Sequence, residues 1–172
     1  MKRVLILSAL ALLAGCGSYS WRSKIPADMR TVAVPTFRNE SGVAALGSAT
    51  TRQTLREFQR EGTFAVRPAG DAALEIQGVI KSAKSVGLDY DRASYLRNSE
   101  RRLTATAEVS LIDKRGGRVI FDSRVYEAEI TFLSADDELT AERDASGRLA
   151  EEFARQIVDD VLDLDMKGAE AK

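Results

Sequence analysis

The sequence predicts an α/β (α+β) fold, a two-layer sandwich. Two helices cover one face of a mixed, mostly antiparallel sheet of about four strands. Three observations predict it. Residues 101–113 and 118–132 alternate apolar and polar side chains on either side of the turn Lys114-Arg115-Gly116-Gly117, which is the pattern of a long hairpin. Leu149, Phe153, Ile157, Val161 and Leu164 repeat at helical spacing near the end of the chain. Upstream, Thr-Val-Ala-Val-Pro-Thr-Phe over residues 31–37 is followed by a second helical stretch. Two helices with one apolar stripe each need a sheet face to bury them.

Residues 31–37 read as the first strand, with Val32 and Val34 on one face. Pro35 has no N–H, so the strand is expected at an edge or to end in a bulge there. Residues 38–42 form a polar turn. Residues 44–61 read as a helix stopped by Gly62, with Leu46, Ala49, Leu55 and Phe58 as its thin apolar stripe. Residues 64–67 are a short extended piece before Pro68. Residues 72–86 alternate as a strand, and 89–100 are polar with Tyr90 and Tyr95 inside, a long loop. In 101–113, Leu103, Ala105, Ala107, Val109 and Leu111 turn inward. The return strand changes phase near Asp122, which predicts a bulge. The last helix runs from about 135 to 164. Ser134 and Asp137 resemble a capping box, and Gly147 costs about 1 kcal/mol relative to Ala in its interior.

Composition removes whole classes of function. The chain of 172 residues has no histidine and one cysteine, Cys16. Ser-His-Asp and Cys-His catalysis and His/Cys zinc sites are therefore impossible. Net charge is −1, without the basic excess of a nucleic-acid binder. Neither GxGxxG nor GxxxxGK[ST] occurs. The carboxylate runs Asp136-Asp137-Glu138 and Asp159-Asp160 are read as solvated or helix-start charge. The reading is a non-enzyme with no metal and no cofactor.

The first sixteen residues set the compartment. Lys2 and Arg3 precede an apolar run, 4–14, broken only by Ser8. The run is shorter than the roughly 20 residues that span a bilayer and has the layout of a secretory signal. Leu13-Ala14-Gly15-Cys16 resembles the bacterial lipobox, in which the cysteine is acylated, with palmitate-type chains, and becomes the first mature residue. An Asp after that cysteine resembles an inner-membrane retention signal. Gly17 stands here instead, which points to the outer membrane. Residues 1–15 are then the signal peptide, 16–30 a lipid-anchored tether, 31–165 the domain and 166–172 a disordered tail. Two or more acyl chains hold a protein stably on a membrane where one does not. Trp21 and Tyr19 in the tether suit either the headgroup level or the domain edge.

One family carries these pieces in this order: Cys16-Gly17-Ser18-Tyr19-Ser20, Ile25-Pro26, residues 31–39, Leu55-Arg56-Glu57-Phe58, residues 62–66, Asp71-Ala72-Ala73-Leu74 and the closing stretch 149–158. The set resembles the LptE family of lipopolysaccharide-assembly outer-membrane lipoproteins over nearly the whole mature chain. The resemblance implies a sheet of about four strands on two helices and no catalytic residues. It implies an LptD-like β-barrel partner that the protein plugs, contact with lipopolysaccharide, and attachment on the periplasmic side of the outer membrane. Residues 32–42 also resemble the opening strand of CsgG-like and penicillin-binding-protein-activator domains. Those partner a synthase or copies of themselves. The Asp-Ala-Ala-Leu strand and the short chain favour the first family.

For an anionic glycolipid the candidate contacts are Lys114, Arg115 and Arg118 at the hairpin tip. Arg97, Arg101 and Arg102 lie at the other end of the same strand. Arginine pairs phosphate bidentately and keeps its charge. Charges at a turn also serve simply to keep it solvated.

Overall fold

The computed structural model describes residues 25–88, 99–134 and 138–164. The signal segment, Cys16, Trp21, Tyr90, Tyr95, Arg97, Asp137 and the tail lie outside the described residues, so the expectations placed on them do too.

A short 3-10 turn at Ala27–Met29 leads into β1 (Thr31–Ala33). There follow β2 (Arg38–Asn39), α1 (Leu46–Glu61), β3 (Ala65–Val66), β4 (Leu74–Gly87), β5 (Ser99–Asp113), β6 (Arg118–Ser134) and α2 (Glu138–Leu162). They form one mixed sheet in the order β3-β1-β4-β5-β6, with β2 pairing β4 beside β1. β1 is parallel to β3 and β4, and β2 is parallel to β4. β4, β5 and β6 form a long antiparallel meander. The sheet has six strands against about four expected, because two are only two residues long.

Pro35 breaks the first strand, as its missing N–H requires, but not at an edge. The chain leaves the sheet after Ala33, between β3 and β4, and rejoins β4 as β2, with Arg38 opposite Val79. The Phe37 side chain turns into the core in the gap. Residues 38–39 are thus strand rather than turn. The turn itself is built on Asn39, whose Oδ1 accepts from the Ser41 N–H at 3.0 Å and whose amide donates to the Val43 carbonyl at 2.8 Å.

α1 ends where expected. Gly62 adopts φ 82° and donates its N–H to the Phe58 carbonyl at 3.1 Å. Its buried face differs from the expected stripe. Leu55 is only partly covered, while Thr50, Thr51 and Thr54 are buried with Leu46, Gly47, Ala49 and Phe58. Each threonine hydroxyl donates to the carbonyl four residues earlier, at 2.8–2.9 Å, so no polar atom is stranded. α2 continues through Gly147 and buries Leu149, Phe153, Ile157 and Val161. Its charged residues face outward.

Both helices lie on the sheet face formed by Ile76, Ile80, Leu103, Ala107, Val109 and Leu111, all of which are fully buried. The expected bulge in the return strand is present. The β5–β6 register shifts between Val109 and Leu111, and Ser123 takes φ 47°. The Ser110 hydroxyl fixes it, donating to Asp122 at 2.7 Å and accepting the Ser123 N–H at 2.9 Å.

Candidate partner-binding surfaces

The hairpin tip gathers the three predicted basic residues and supplies each with a partner. The register that sets Leu74 opposite Asp113 brings β4's Glu75 beside the turn. Lys114 Nζ meets Glu75 Oε2 at 2.8 Å, and the Lys114 N–H donates to the Ala73 carbonyl at 2.8 Å. Arg115 pairs with Asp28 of the 3-10 turn. Arg118 also has a partner. The buried Asp113 accepts the Arg115 N–H at 3.0 Å, and Gly117 supplies the turn's positive φ of 63°. Glu75 is only 7% exposed. The Lys114 hydrogen bond, and after it the Gln77 amide, hold its carboxyl below the ordinary carboxylate value, against the opposing effect of burial. Lysine at this tip is therefore part of the fold as well as surface charge.

The opposite end of β5 is likewise paired. Arg101 contacts Glu138 at the start of α2 at 2.7 Å and Ser85 at 3.1 Å, and Arg102 lies 3.9 Å from Glu129. The two basic groups stand at opposite ends of the hairpin, as the strand pattern requires.

Between them the face of the meander turned away from the helices is open. Gln77, Lys84, Thr104, Glu108, Glu127 and Glu129 stud it, together with the large apolar Val86, Val119, Val125 and Leu133. Val125 is 56% and Leu133 58% exposed. Polar alternation with scattered β-branched side chains suits a surface that meets a partner or solvent on one side only.

At the edge, β6 is tied to α2. Asp160 accepts from the Tyr126 hydroxyl and from Arg124, each at 2.6 Å, and the Arg124 guanidinium stacks 4.3 Å from the Phe121 ring centre. Burial is the main force raising the Tyr126 pKa, with the Asp160 hydrogen bond adding to it, so the phenol stays protonated. The sequence reading missed Glu75, Asp28 and the Tyr126–Asp160 pair. The β4–β5 register brings Glu75 to Lys114, and packing of the 3-10 turn and of α2 against the sheet, not local spacing, brings Asp28 to Arg115 and Asp160 to Tyr126.

Among the described residues no group of three or more Asp, Glu, His or Cys could hold a metal, and no helix is long and apolar enough to cross a membrane. Of the carboxylate runs, Glu138 and Asp160 are engaged in ion pairs.

The model of the LptE family, lipopolysaccharide assembly, matches residues 29–161, the whole sheet and nearly all of α2. The chain belongs to the LptE family. Membership assigns it to lipopolysaccharide assembly in the bacterial envelope, in a family of assembly lipoproteins rather than enzymes. No curated protein matches it in sequence. Solved structures similar to this LptE-family chain include a candidate lipoprotein of Caulobacter crescentus CB15, 21% identical over 72% of this chain and 87% of that one, with TM-score 0.50. Protein CT253 of Chlamydia trachomatis is 14% identical over 77% and 95%, with TM-score 0.51. Protein XCC0632 of Xanthomonas campestris is 12% identical over 83% and 88%, with TM-score 0.57. At these identities the likeness is one of fold.

Proposed function

We propose that this protein is an outer-membrane lipoprotein, anchored through acylated Cys16 on the periplasmic side, that partners and plugs an LptD-like β-barrel and assists the passage of lipopolysaccharide to the outer leaflet. The observation that carries the reading is the LptE match across residues 29–161. The fold supports it in two ways. The open face of the meander offers a broad polar surface with exposed valines and a leucine for a large partner. The chain also enters the domain at the hairpin-tip end, where Arg30 Nε donates to the Ile25 carbonyl at 3.1 Å and Asp28 pairs Arg115. The nine peptide steps from Cys16 to Ile25 reach at most about 30 Å, so the anchor keeps the tip end close to the inner leaflet.

Affinity purification of the tagged lipoprotein from detergent-solubilised outer membranes tests this. A large β-barrel of the LptD kind should co-purify in stoichiometric amount. A cell-wall synthase, or a ring of this chain alone, would overturn the reading.

Lys114, Arg115 and Arg118 are the proposed lipopolysaccharide contacts. A phosphate would draw Arg115 from Asp28 readily, because that exposed ion pair contributes little net energy, whereas drawing Lys114 from the buried Glu75 costs about 2 kcal/mol that the phosphate contact must offset. Alanine at all three positions is best made on Glu75→Gln, which spares the fold an unpaired buried acid. Lipopolysaccharide binding at low salt should fall about tenfold relative to Glu75→Gln alone, and equal binding would remove the tip from the site.

A further inference from the structure

β6 is the outermost strand of the sheet, with β5 on one side and no strand on the other among the described residues. At 17 residues it is also the longest strand. An edge of that length offers unpaired N–H and C=O groups to any other strand. Two side chains of α2 reach its backbone. Gln156 Nε2 donates to the Glu127 carbonyl at 3.2 Å, and Arg148 donates to the Thr131 carbonyl at 3.4 Å. The two donors are eight residues apart on α2, two turns plus a little, and so share one helix face. The two acceptors are four apart on β6, and so share one side of the strand. This places two matched caps along one stretch of edge. Neither side chain is needed to fill the core, since Arg148 is exposed and Gln156 partly so.

We infer that Arg148 and Gln156 hold the outer edge of β6 closed against strand addition by a second copy of this chain. A second copy is the occupant because the edge complements itself. Antiparallel pairing about a two-fold axis at Glu129 sets Val125 of each chain opposite Leu133 of the other, and Glu127 opposite Thr131. Val125 and Leu133 are both more than half exposed, so each pairing would cover apolar surface at the two ends. Glu129 would meet its own copy at the centre. Like charges directly opposite are unfavourable, and Arg102, 3.9 Å away, offsets this only in part. Edge closure thus has two parts, the side-chain caps on the carbonyls and the central glutamate.

The test is sedimentation equilibrium of the full-length lipoprotein in density-matched detergent. The variants are Arg148→Ala/Gln156→Ala and the same pair with Glu129→Gln. Far-ultraviolet circular dichroism confirms that each retains its fold. The double variant should self-associate about tenfold more tightly than the natural chain, and the triple variant more tightly again. An added Val125→Lys change, which puts a charge opposite Leu133, should abolish the gain. Folded double and triple variants that stay as monomeric as the natural chain would overturn the inference. So would association that Val125→Lys leaves unchanged. None of these readouts depends on the proposed barrel partnership.

Discussion

Gly78→Ala should lower the melting temperature by about 10 °C, the effect of roughly 3 kcal/mol of overpacking in a domain of this size. A Cβ at residue 78 would stand 2.0, 2.2 and 2.6 Å from three atoms of the Phe37 ring. Real side chains do not approach so closely, so the ring or the strand must move. The ring has little room to do so. Phe37 is 2% exposed, its N–H donates to Thr51 Oγ1 at 2.9 Å, and a Cβ on Gly47 would already lie 2.8 Å from the Phe37 carbonyl oxygen. Two glycines on different elements thus make the slot in which this phenylalanine sits. Phe37→Leu removes ring atoms from the clash, so Gly78→Ala should cost less in that background than in the natural chain. Strict additivity of the two changes would show that the phenylalanine is not what requires the glycine. The residue closes the sheet where Pro35 forces β1 to end, and its loss is expected to loosen both short strands beside it.

That slot marks what could be read in the sequence and what could not. Alternation over residues 101–113 and 118–132 places β5 and β6, and the Gly-Gly turn between them, because each side chain's face follows from the period of two. The spacing of Leu149, Phe153, Ile157 and Val161 places α2 for the corresponding reason. Gly78, by contrast, is an inward position in an alternating run, and its role depends on a ring that arrives from 41 residues earlier. The threonine face of α1 was hidden for another reason. Thr50, Thr51 and Thr54 count as polar in any periodicity, yet their hydroxyls are satisfied by the helix's own carbonyls and their methyl groups can pack. β2, read as turn, and β3, read only as an extended piece, are two residues each, too short to carry a period at all. The basic tip was legible as a cluster, since Lys114, Arg115 and Arg118 are neighbours in sequence. Its acidic counterparts were not, because Asp28 and Glu75 come from two other parts of the chain.

Those counterparts give Lys114→Ala a pH signature. At pH 7 the substitution leaves the Glu75 carboxylate buried with only the Gln77 amide, at 2.7 Å, as its side-chain partner. The expected loss is about 2 kcal/mol, less than the 3–5 kcal/mol of breaking a fully buried pair, because the Lys114 side chain is 40% exposed and water screens it. The direction of the pH dependence follows from Glu75. In the natural chain its carboxyl titrates below the unfolded value, so its contribution to stability is complete above that value and is lost as pH falls through the lower folded one. Without Lys114 only the Gln77 amide opposes the effect of burial, so the carboxyl loses most of its depression and with it most of the stability that its ionisation supplies. The gap between Lys114→Ala and the natural chain should therefore be widest near neutral pH, begin to narrow below about pH 4, the unfolded value, and close only once pH has fallen through the lower folded value. In a Glu75→Gln background the same lysine substitution should cost little at any pH. Urea denaturation of the four chains at pH 7 and at about pH 2.5 checks all of this. A gap of equal size at both pH values would mean that Lys114 stabilises the tip through its aliphatic stem. The charge would then be free for an anionic ligand at no cost to the fold.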